Sequence, residues 1–141
     1  MERRSFIKQC SVFCAGSMGM AILMESCGSI HYANNTIDAN KIKVLKSELI
    51  DAKKTEREFV VIRNEKLQFP ICLFSKNGMY TALYMQCTHQ GCELKPNKTV
   101  LVCPCHGSEF SSEGKVMSAP ADRDLKQFKV ISDNESVYIE L

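Results

Sequence analysis

Short apolar runs that alternate with polar residues and turns occupy the chain beyond its first forty residues. Ile42 and Val44 alternate with lysines, and Val137, Ile139 and Leu141 would share one face of a strand. Such runs predict β-strands, which we place at residues 42–44, 59–62, 69–74, 79–85, 100–102, 125–131 and 137–141. Many short strands separated by regular turns are typical of a small all-β protein, an antiparallel sandwich or barrel.

Turn-forming residues indicate how some of these strands pair. Lys76-Asn77-Gly78 separates two strands and predicts a hairpin, and residues 132–135 predict a turn between the last two strands. The best helix candidate, Ser47–Arg57, is short and polar, so a loop is the alternative there. Cys72 stands inside an apolar run, and we expect it to be a buried packing residue.

The first 27 residues have a different pattern from the rest. Arg3 and Arg4 lie close to the start, and the uncharged stretch Gln9–Met24 is shorter than the roughly 20 residues that span a bilayer. A basic start followed by a short apolar core is typical of a secretory signal, and the arginine pair resembles the twin-arginine export signal. The alternative is a membrane anchor with a basic flank.

Two features follow this apolar stretch. A small residue before Cys27 and a glycine after it resemble a bacterial lipoprotein cleavage site, so Cys27 is a candidate for lipidation, with an ordinary thiol as the alternative. Residues 28–40 are rich in Asn and are interpreted as a polar linker in which His31 is solvated. The sequence is thus divided into a signal or anchor over residues 1–27, this linker, and one domain over residues 41–141.

Composition narrows the classes of function. A chain of 141 residues is long enough for one domain plus a targeting segment. With 18 Lys and Arg against 16 Asp and Glu, the net charge of +2 gives no electrostatic argument for a nucleic-acid partner, and none is expected. The 8 Cys are unusual for this length and suggest disulfides or metal ligands.

The chemistry-bearing residues cluster in two boxes. In chain order they are Cys87-Thr88-His89-Gln90-Gly91-Cys92 and Cys103-Pro104-Cys105-His106-Gly107-Ser108-Glu109-Phe110. A Cys-x-His pair and a Cys-x-x-His pair suit zinc or an iron–sulfur centre, and one further Cys per box is left for a disulfide. A structural zinc site would leave those two Cys and the glycines unexplained, whereas a metal-free disulfide framework would leave both His unexplained.

The two boxes together resemble the Rieske iron–sulfur family, and Gly114, Ala119-Pro120-Ala121 and Leu125 recur as in that family. The resemblance implies one [2Fe-2S] cluster with two thiolates on one iron and two imidazoles on the other, an exchange of ligands that raises the reduction potential. The implied ligands are Cys87, His89, Cys103 and His106. The resemblance also implies a disulfide between Cys92 and Cys105.

Neighbouring residues are expected to tune such a cluster. Gly91 and Gly107 would let backbone N–H groups approach the cluster sulfurs. Ser108 matches a family position whose hydroxyl donates to a bridging sulfide, which raises the potential. Phe110 stands where many high-potential members carry Tyr, and since Phe cannot donate, we expect a lower potential than theirs. Gln90 replaces a Leu that is frequent in the quinol-oxidising members.

The same resemblance implies a fold with two parts. An antiparallel β base would be built from residues 41–86 and 111–141, and a smaller cluster-binding subdomain would span about 87–110. Residues 28–40 would then serve as a tether that lets this head swing between an electron donor and an acceptor.

The disulfide and the export signal agree on a location. Cytoplasmic Rieske ferredoxins generally lack the cysteine pair, and disulfides suit an oxidising compartment, so we expect the outer, periplasmic face of the bacterial cytoplasmic membrane. The expected role is proton-coupled oxidation of a quinol within a bc-type complex, with cytochrome b-like and cytochrome c-like partners and a membrane contact through the N-terminal anchor or a lipid. The chain would be a subunit rather than a stand-alone enzyme. The alternatives are the small subunit of an exported, arsenite oxidase-like oxidoreductase and, less favoured, a Rieske ferredoxin.

Overall fold

The computed structural model describes residues 29–141. The predicted export signal and the lipidation candidate Cys27 lie outside the described residues. Within residues 29–141 no helix is both long and apolar enough to cross a membrane. The described strands are β1 (Asn35–Asp38), β2 (Lys41–Leu45), β3 (Phe59–Ile62), β4 (Ile71–Lys76), β5 (Met79–Tyr84), β6 (Lys95–Asn97), β7 (Val100–Val102), β8 (Glu109–Ser111), β9 (Val116–Ser118), β10 (Gln127–Ser132) and β11 (Ser136–Glu140).

Seven of these strands form one antiparallel sheet in the order β1-β2-β11-β10-β5-β4-β3. The two outer strands of this sheet are brought together by the residues just before β1. Tyr32 forms a parallel bridge with Val61 of β3, the Ala33 N–H donates to the Val61 carbonyl at 2.9 Å, and the Val61 N–H donates to the His31 carbonyl at 2.9 Å. The sheet therefore curls round on itself as a barrel, which confirms the all-β antiparallel prediction.

Side-chain alternation along the strands fills the inside of this barrel. Ile42 and Val44 of β2 are fully buried between exposed lysines, as their spacing predicts. Strand β4 is buried on both faces: Ile71 and Leu73 point into the barrel core, whereas Cys72 packs into a second core on the other side. The packing role predicted for Cys72 is confirmed, and burial raises the pKa of its thiol, which keeps it protonated.

The second core lies under a four-stranded antiparallel sheet in the order β6-β7-β8-β9. Leu101 of β7 and Phe110 of β8 are paired neighbours and are both fully buried beneath it. The predicted end of this subdomain near residue 110 is wrong, because β9 pairs with β8 and extends the sheet to Ser118. Val116 of β9 packs against the second core that contains Phe110, so the segment after Phe110 belongs to this sheet rather than to the barrel.

The polar linker predicted for residues 28–40 is contradicted over most of its length. Strand β1 pairs with β2 along all four of its residues, and Ala33 is buried in the barrel core. The side chains of Asn34 and His31 bind the Glu48 carboxylate at 2.9 and 2.7 Å. The Asn34 amide, followed by His31, holds the pKa of Glu48 below its ordinary value. The polar residues of this segment thus make hydrogen bonds to the barrel instead of facing only water.

The helix candidate Ser47–Arg57 is mostly a loop, which was the alternative for this segment. A single turn of 3-10 helix covers Lys46–Leu49, and the chain beyond it is irregular. Asp51 ends the turn by accepting hydrogen bonds from the backbone N–H groups of Lys53 and Thr55, both at 2.8 Å. Such local bonds compete with helix formation, which explains why the polar run did not continue as a helix.

The tight contact at Gly114 generates a stability prediction. Gly114 has φ of +80°, and a Cβ added there would lie 2.8 Å from the buried Cδ2 of Leu83. Gly114→Ala is expected to lower the free energy of unfolding by about 2–4 kcal/mol, because it adds overpacking to the left-handed backbone penalty. Chemical denaturation measures the loss.

Gly78 supplies the matched control. Its φ is +75°, yet an added Cβ would meet nothing within 4 Å. Gly78→Ala should therefore show only the backbone part, about 1–2 kcal/mol. Equal losses for the two variants would contradict the steric role assigned to Gly114.

Candidate metal centre

Two loops of similar construction lie side by side at one end of the small sheet. The first, residues 87–92, connects β5 to β6, and the second, residues 103–108, connects β7 to β8. In each loop the N–H of the first cysteine donates to the last residue's carbonyl, and a glycine N–H donates back to that cysteine's carbonyl. These bonds are Cys87 N to Cys92 O (2.8 Å), Gly91 N to Cys87 O (2.9 Å), Cys103 N to Ser108 O (2.8 Å) and Gly107 N to Cys103 O (3.0 Å).

The glycines are required by this backbone path. Gly91 and Gly107 have φ of +77° and +80°, in the left-handed region that residues with a Cβ rarely adopt. At Gly91 an added Cβ would also approach the side-chain amide of Gln86 to 3.3 Å. The two glycines therefore turn each loop back on its own cysteine, where their N–H groups donate to the cysteine carbonyls. The approach of backbone N–H groups to cluster sulfurs stays a prediction.

A disulfide between Cys92 and Cys105 joins the two loops, with the Cα atoms 6.5 Å apart. The predicted pairing is confirmed. The Sγ atom of Cys103 lies beside this bridge, since the sulfur atoms of Cys92, Cys103 and Cys105 are all within 4.8 Å of one another. The bridge thus holds the second thiol-bearing loop against the first.

Two thiols and two imidazoles remain on these loops, and the structure sorts them by depth. Cys87 and Cys103 are free thiols, each 2% exposed, and they pack with the second core. His89 and His106 are exposed, and their rings meet edge to face with centroids 5.1 Å apart. This donor set, with soft sulfur on the inside and nitrogen at the surface, could hold zinc or an iron–sulfur cluster.

A segment far along the chain packs against both loops, and we call residues 119–125 the cover segment. The backbone N–H of Ala121 donates to the Ser108 hydroxyl oxygen at 3.0 Å, and Ser108 is completely buried. Because the oxygen acts as acceptor here, the hydroxyl hydrogen is left to donate to another group. Ser108 therefore connects the second loop to the cover segment.

The first loop is connected to the cover segment by different residues, which the sequence analysis did not single out. The Thr88 hydroxyl donates to the Arg123 carbonyl at 2.7 Å, and the Arg123 guanidinium donates to the Thr88 carbonyl at 3.0 Å. No local motif marks this pair, since the two residues lie 35 positions apart.

The cover segment is also fixed to the small sheet. The Asp124 carboxylate accepts hydrogen bonds from the Lys115 ammonium at 2.6 Å and from the Val116 N–H at 3.0 Å. The Lys115 ammonium holds the pKa of Asp124 below its ordinary value. The Leu125 N–H donates to the Gly114 carbonyl at 2.9 Å, so the C-terminal end of the cover segment is held beside β9.

A shallow recess of about 410 Å³ opens beside His89. Arg123, Lys126 and Tyr84 contribute to its walls. The Lys126 ammonium lies 4.5 Å from the ring centroid of Phe128 and 5.8 Å from that of Tyr84. Two positive side chains therefore flank the first loop.

Comparison with known proteins gives a consistent assignment. A family model described as the Rieske [2Fe-2S] domain matches residues 36–129, which include both loops and the cover segment. The chain is similar to the cytochrome b6-f complex iron-sulfur subunit of Chlorobaculum tepidum, with 30% identity over 73 residues that cover 50% of this chain and 40% of that protein. The corresponding subunit of Prochlorococcus marinus is 42% identical over 55 residues, covering 38% of this chain and 31% of that protein.

Solved structures agree on the fold. The cyanobacterial plasma membrane Rieske protein PetC3 from Synechocystis PCC 6803 superimposes with a TM-score of 0.53 and 29% identity, covering 60% of this chain and 88% of that chain. The complex between oxygenase and ferredoxin in carbazole 1,9a-dioxygenase matches with a TM-score of 0.52 and 19% identity, over 72% of this chain and 28% of that chain, and shows the fold alone.

The family match spans both loops, and the arrangement of two thiols, two imidazoles and one bridging disulfide fits it, so the zinc and metal-free alternatives are set aside. The chain belongs to the Rieske [2Fe-2S] domain family and is an iron–sulfur electron-transfer protein.

Proposed function

We propose that Cys87 and Cys103 bind one iron of the cluster and that His89 and His106 bind the other. Elimination among the described residues supports the choice of these four ligands, and their division between the two irons follows the pattern of the family. Cys92 and Cys105 are joined to each other, so they are not available as thiolates. The other free thiol of residues 29–141 is Cys72 in strand β4, and the other imidazole, that of His31, is bound to Glu48. The bound cluster supplies a one-electron redox centre.

The surroundings of the proposed ligands bear on the reduction potential. Ser108 is buried at the end of the second loop with its hydroxyl hydrogen available, and donation to the cluster sulfur would raise the potential. Phe110 is fully buried in β8 and has no hydroxyl to donate to a thiolate. We therefore place the potential below that of relatives with Tyr at this position.

The function that this geometry supports best is quinol oxidation in a bc-type complex, with the electron passed on to a cytochrome. The observation that carries it is the pair of exposed imidazole rings above two buried thiols. A quinol hydroxyl could reach such a ring at the surface, where an imidazole can accept a proton. The relatives named as cytochrome b6-f iron-sulfur subunits support cytochrome b-like and c-like partners, although this chain spans less than half of their length.

Two features support a location on the outer face of the cytoplasmic membrane. The Cys92–Cys105 disulfide suits an oxidising compartment. Arg3 and Arg4 resemble a twin-arginine signal, an export route for folded proteins, and a folded protein is what delivery of a finished cluster requires. Attachment to the membrane would be through residues 1–27 or through a lipid on Cys27.

A second candidate, the small subunit of an exported oxidoreductase of the arsenite oxidase type, is favoured by one observation. Residues 31–38 are hydrogen-bonded to the barrel, so they cannot act as the flexible tether that a swinging head would need. Gln90, Asp122 and Arg123 also make the surface near the proposed ligands polar. A Rieske domain that stays bound to one partner, rather than swinging between two, would suit this second role.

Potentiometric titration of the full-length protein, followed by low-temperature electron paramagnetic resonance (EPR), tests the first candidate. We expect the signal of a His-ligated [2Fe-2S] cluster, with a midpoint in the positive part of the range of about −150 to +300 mV, because two imidazoles replace two thiolates. A midpoint at the negative end would contradict quinol oxidation. Zinc in place of iron, with no signal, would contradict the ligand assignment itself.

The two candidates also differ in what should copurify with the chain from its native membranes. A bc-type complex should bring b-type haem, whereas the oxidoreductase should bring a molybdenum cofactor. Haem spectra and metal analysis of the affinity-purified complex separate them.

Replacing Ser108 tests the proposed tuning. Ser108→Ala is expected to lower the midpoint potential, since a hydrogen-bond donor near the cluster sulfur is lost. It should also lower the free energy of unfolding by about 1–3 kcal/mol, because the Ala121 N–H loses its buried acceptor. Ser112→Ala is the control, as that hydroxyl bonds to Glu113 on the surface. An unchanged potential in Ser108→Ala would refute the tuning role.

A further inference from the structure

The first loop and the cover segment are joined by a reciprocal pair of hydrogen bonds. The side chain of Thr88 donates to the backbone of Arg123 at 2.7 Å, and the side chain of Arg123 donates to the backbone of Thr88 at 3.0 Å. Each residue therefore supplies one donor and one carbonyl acceptor. We call this pair of bonds the Thr88–Arg123 clamp.

The clamp holds the part of the first loop that has few other contacts. The remaining backbone bonds of that loop connect Cys87 with Gly91 and with Cys92, so they stay within the loop. The disulfide fixes its last residue, Cys92. The clamp acts at Thr88, the residue directly before His89, and ties it to a separate segment of the chain.

The second loop does not depend on this clamp. Its link to the cover segment is the bond from the Ala121 N–H to the Ser108 hydroxyl, which is completely buried. Water has little access to that bond, whereas the Thr88–Arg123 bonds are at the surface. The second loop is thus attached to the cover segment by a buried bond, and the first loop by bonds that water can reach.

The charge of Arg123 does not by itself explain its placement. Its side chain is 76% exposed, and its Nε lies 3.9 Å from the exposed Asp122 carboxylate, a separation at which surface pairs contribute little. The guanidinium nevertheless turns Nη2 back to the Thr88 carbonyl. Lys126 carries the same charge in the wall of the same recess but makes no hydrogen bond to the first loop.

We propose that Arg123 is a positioning residue for His89: together with Thr88 it fixes the first loop against the cover segment and so sets the orientation of that imidazole. The inference rests on the proposed ligand role of His89. Arg123 touches neither the proposed ligands nor the cluster in this role, and it acts only through the backbone of Thr88.

Loss of the clamp has a specific expected result. The backbone from Thr88 to Gln90 should open more often, because only bonds within the loop remain. His89 would then sample a range of orientations, and a range of ligand orientations broadens the EPR lines of the cluster. The second loop should be unaffected, because its buried bond to Ala121 is intact.

Hydrogen–deuterium exchange with mass spectrometry on the full-length, cluster-loaded protein tests the proposal. The variants are Arg123→Met, Thr88→Val and the double variant. The backbone N–H groups of Cys87 and Gly91 are hydrogen-bonded within the first loop and are the ones that opening would expose. Each single variant should speed exchange of the peptide containing residues 87–91 by about two- to tenfold, the factor expected for one hydrogen bond of ordinary net strength. The double variant should exceed either single one, and its EPR lines should be the broadest. Exchange at residues 103–107, where the N–H groups of Cys103 and Gly107 are bonded in the same way, should not change.

Lys126→Met is the matched control, since it removes one positive charge from the same recess and leaves the clamp intact. Arg123→Lys should restore part of the protection, because it keeps a donor on the side chain. Equal effects of Lys126→Met and Arg123→Met would overturn the proposal in favour of a charge effect. Equal acceleration in both loops, or none in either, would also overturn it.

These outcomes are separate from a failure of the proposed function. A wild-type protein without the expected EPR signal would refute the ligand assignment and, with it, the role assigned to Arg123 in orienting a ligand. A normal wild-type signal with unchanged exchange and line width in the variants would refute the positioning role alone.

Discussion

The covalent bond between Cys92 and Cys105 is the constraint on which the rest of the site depends. The two loops belong to different strand connections, and each carries only one thiol and one imidazole of the proposed ligand set. The bond closes a short stretch of chain, a separation of 13 residues, and so restricts the unfolded chain as well as the folded one. The bond limits how far apart the two loops can lie. The glycine turns and the cover segment then fix the positions of the loops within that limit.

Burial then separates the environments of the proposed ligands. Cys87 and Cys103 pack in the second core, which shares strand β4 with the barrel, so the thiols are anchored to the main body of the fold. His89 and His106 stand above them at the surface. An electron carrier needs one buried side and one exposed side, because the sulfur side must exclude water while the nitrogen side must be reached by a partner. The apolar residues under the small sheet thus have a functional consequence although none of them is a ligand.

Local sequence patterns predicted some parts of the structure correctly and missed others. Short apolar runs and alternation located most of the described strands, and the spacing of Cys and His located the loops, because both signals lie within a few neighbouring residues. The segment before β2 looked like a linker because Asn34 and Asn35 are polar, yet these side chains bond to Glu48 and to carbonyls of the barrel. The Thr88–Arg123 clamp could not be read from the sequence at all, since its partners become neighbours only after the chain folds.

The position of β11 in the sheet has a consequence for the order of events in folding. Although β11 is formed by residues 136–140, it lies between β2 and β10 and makes five residue pairs with β2. It is therefore the strand that joins the β1-β2 pair to the run β10-β5-β4-β3, and without it the sheet would be two separate pieces. Because contacts between residues far apart in the sequence form slowly, closure of the barrel waits for this pairing even though the hairpins on either side can form earlier.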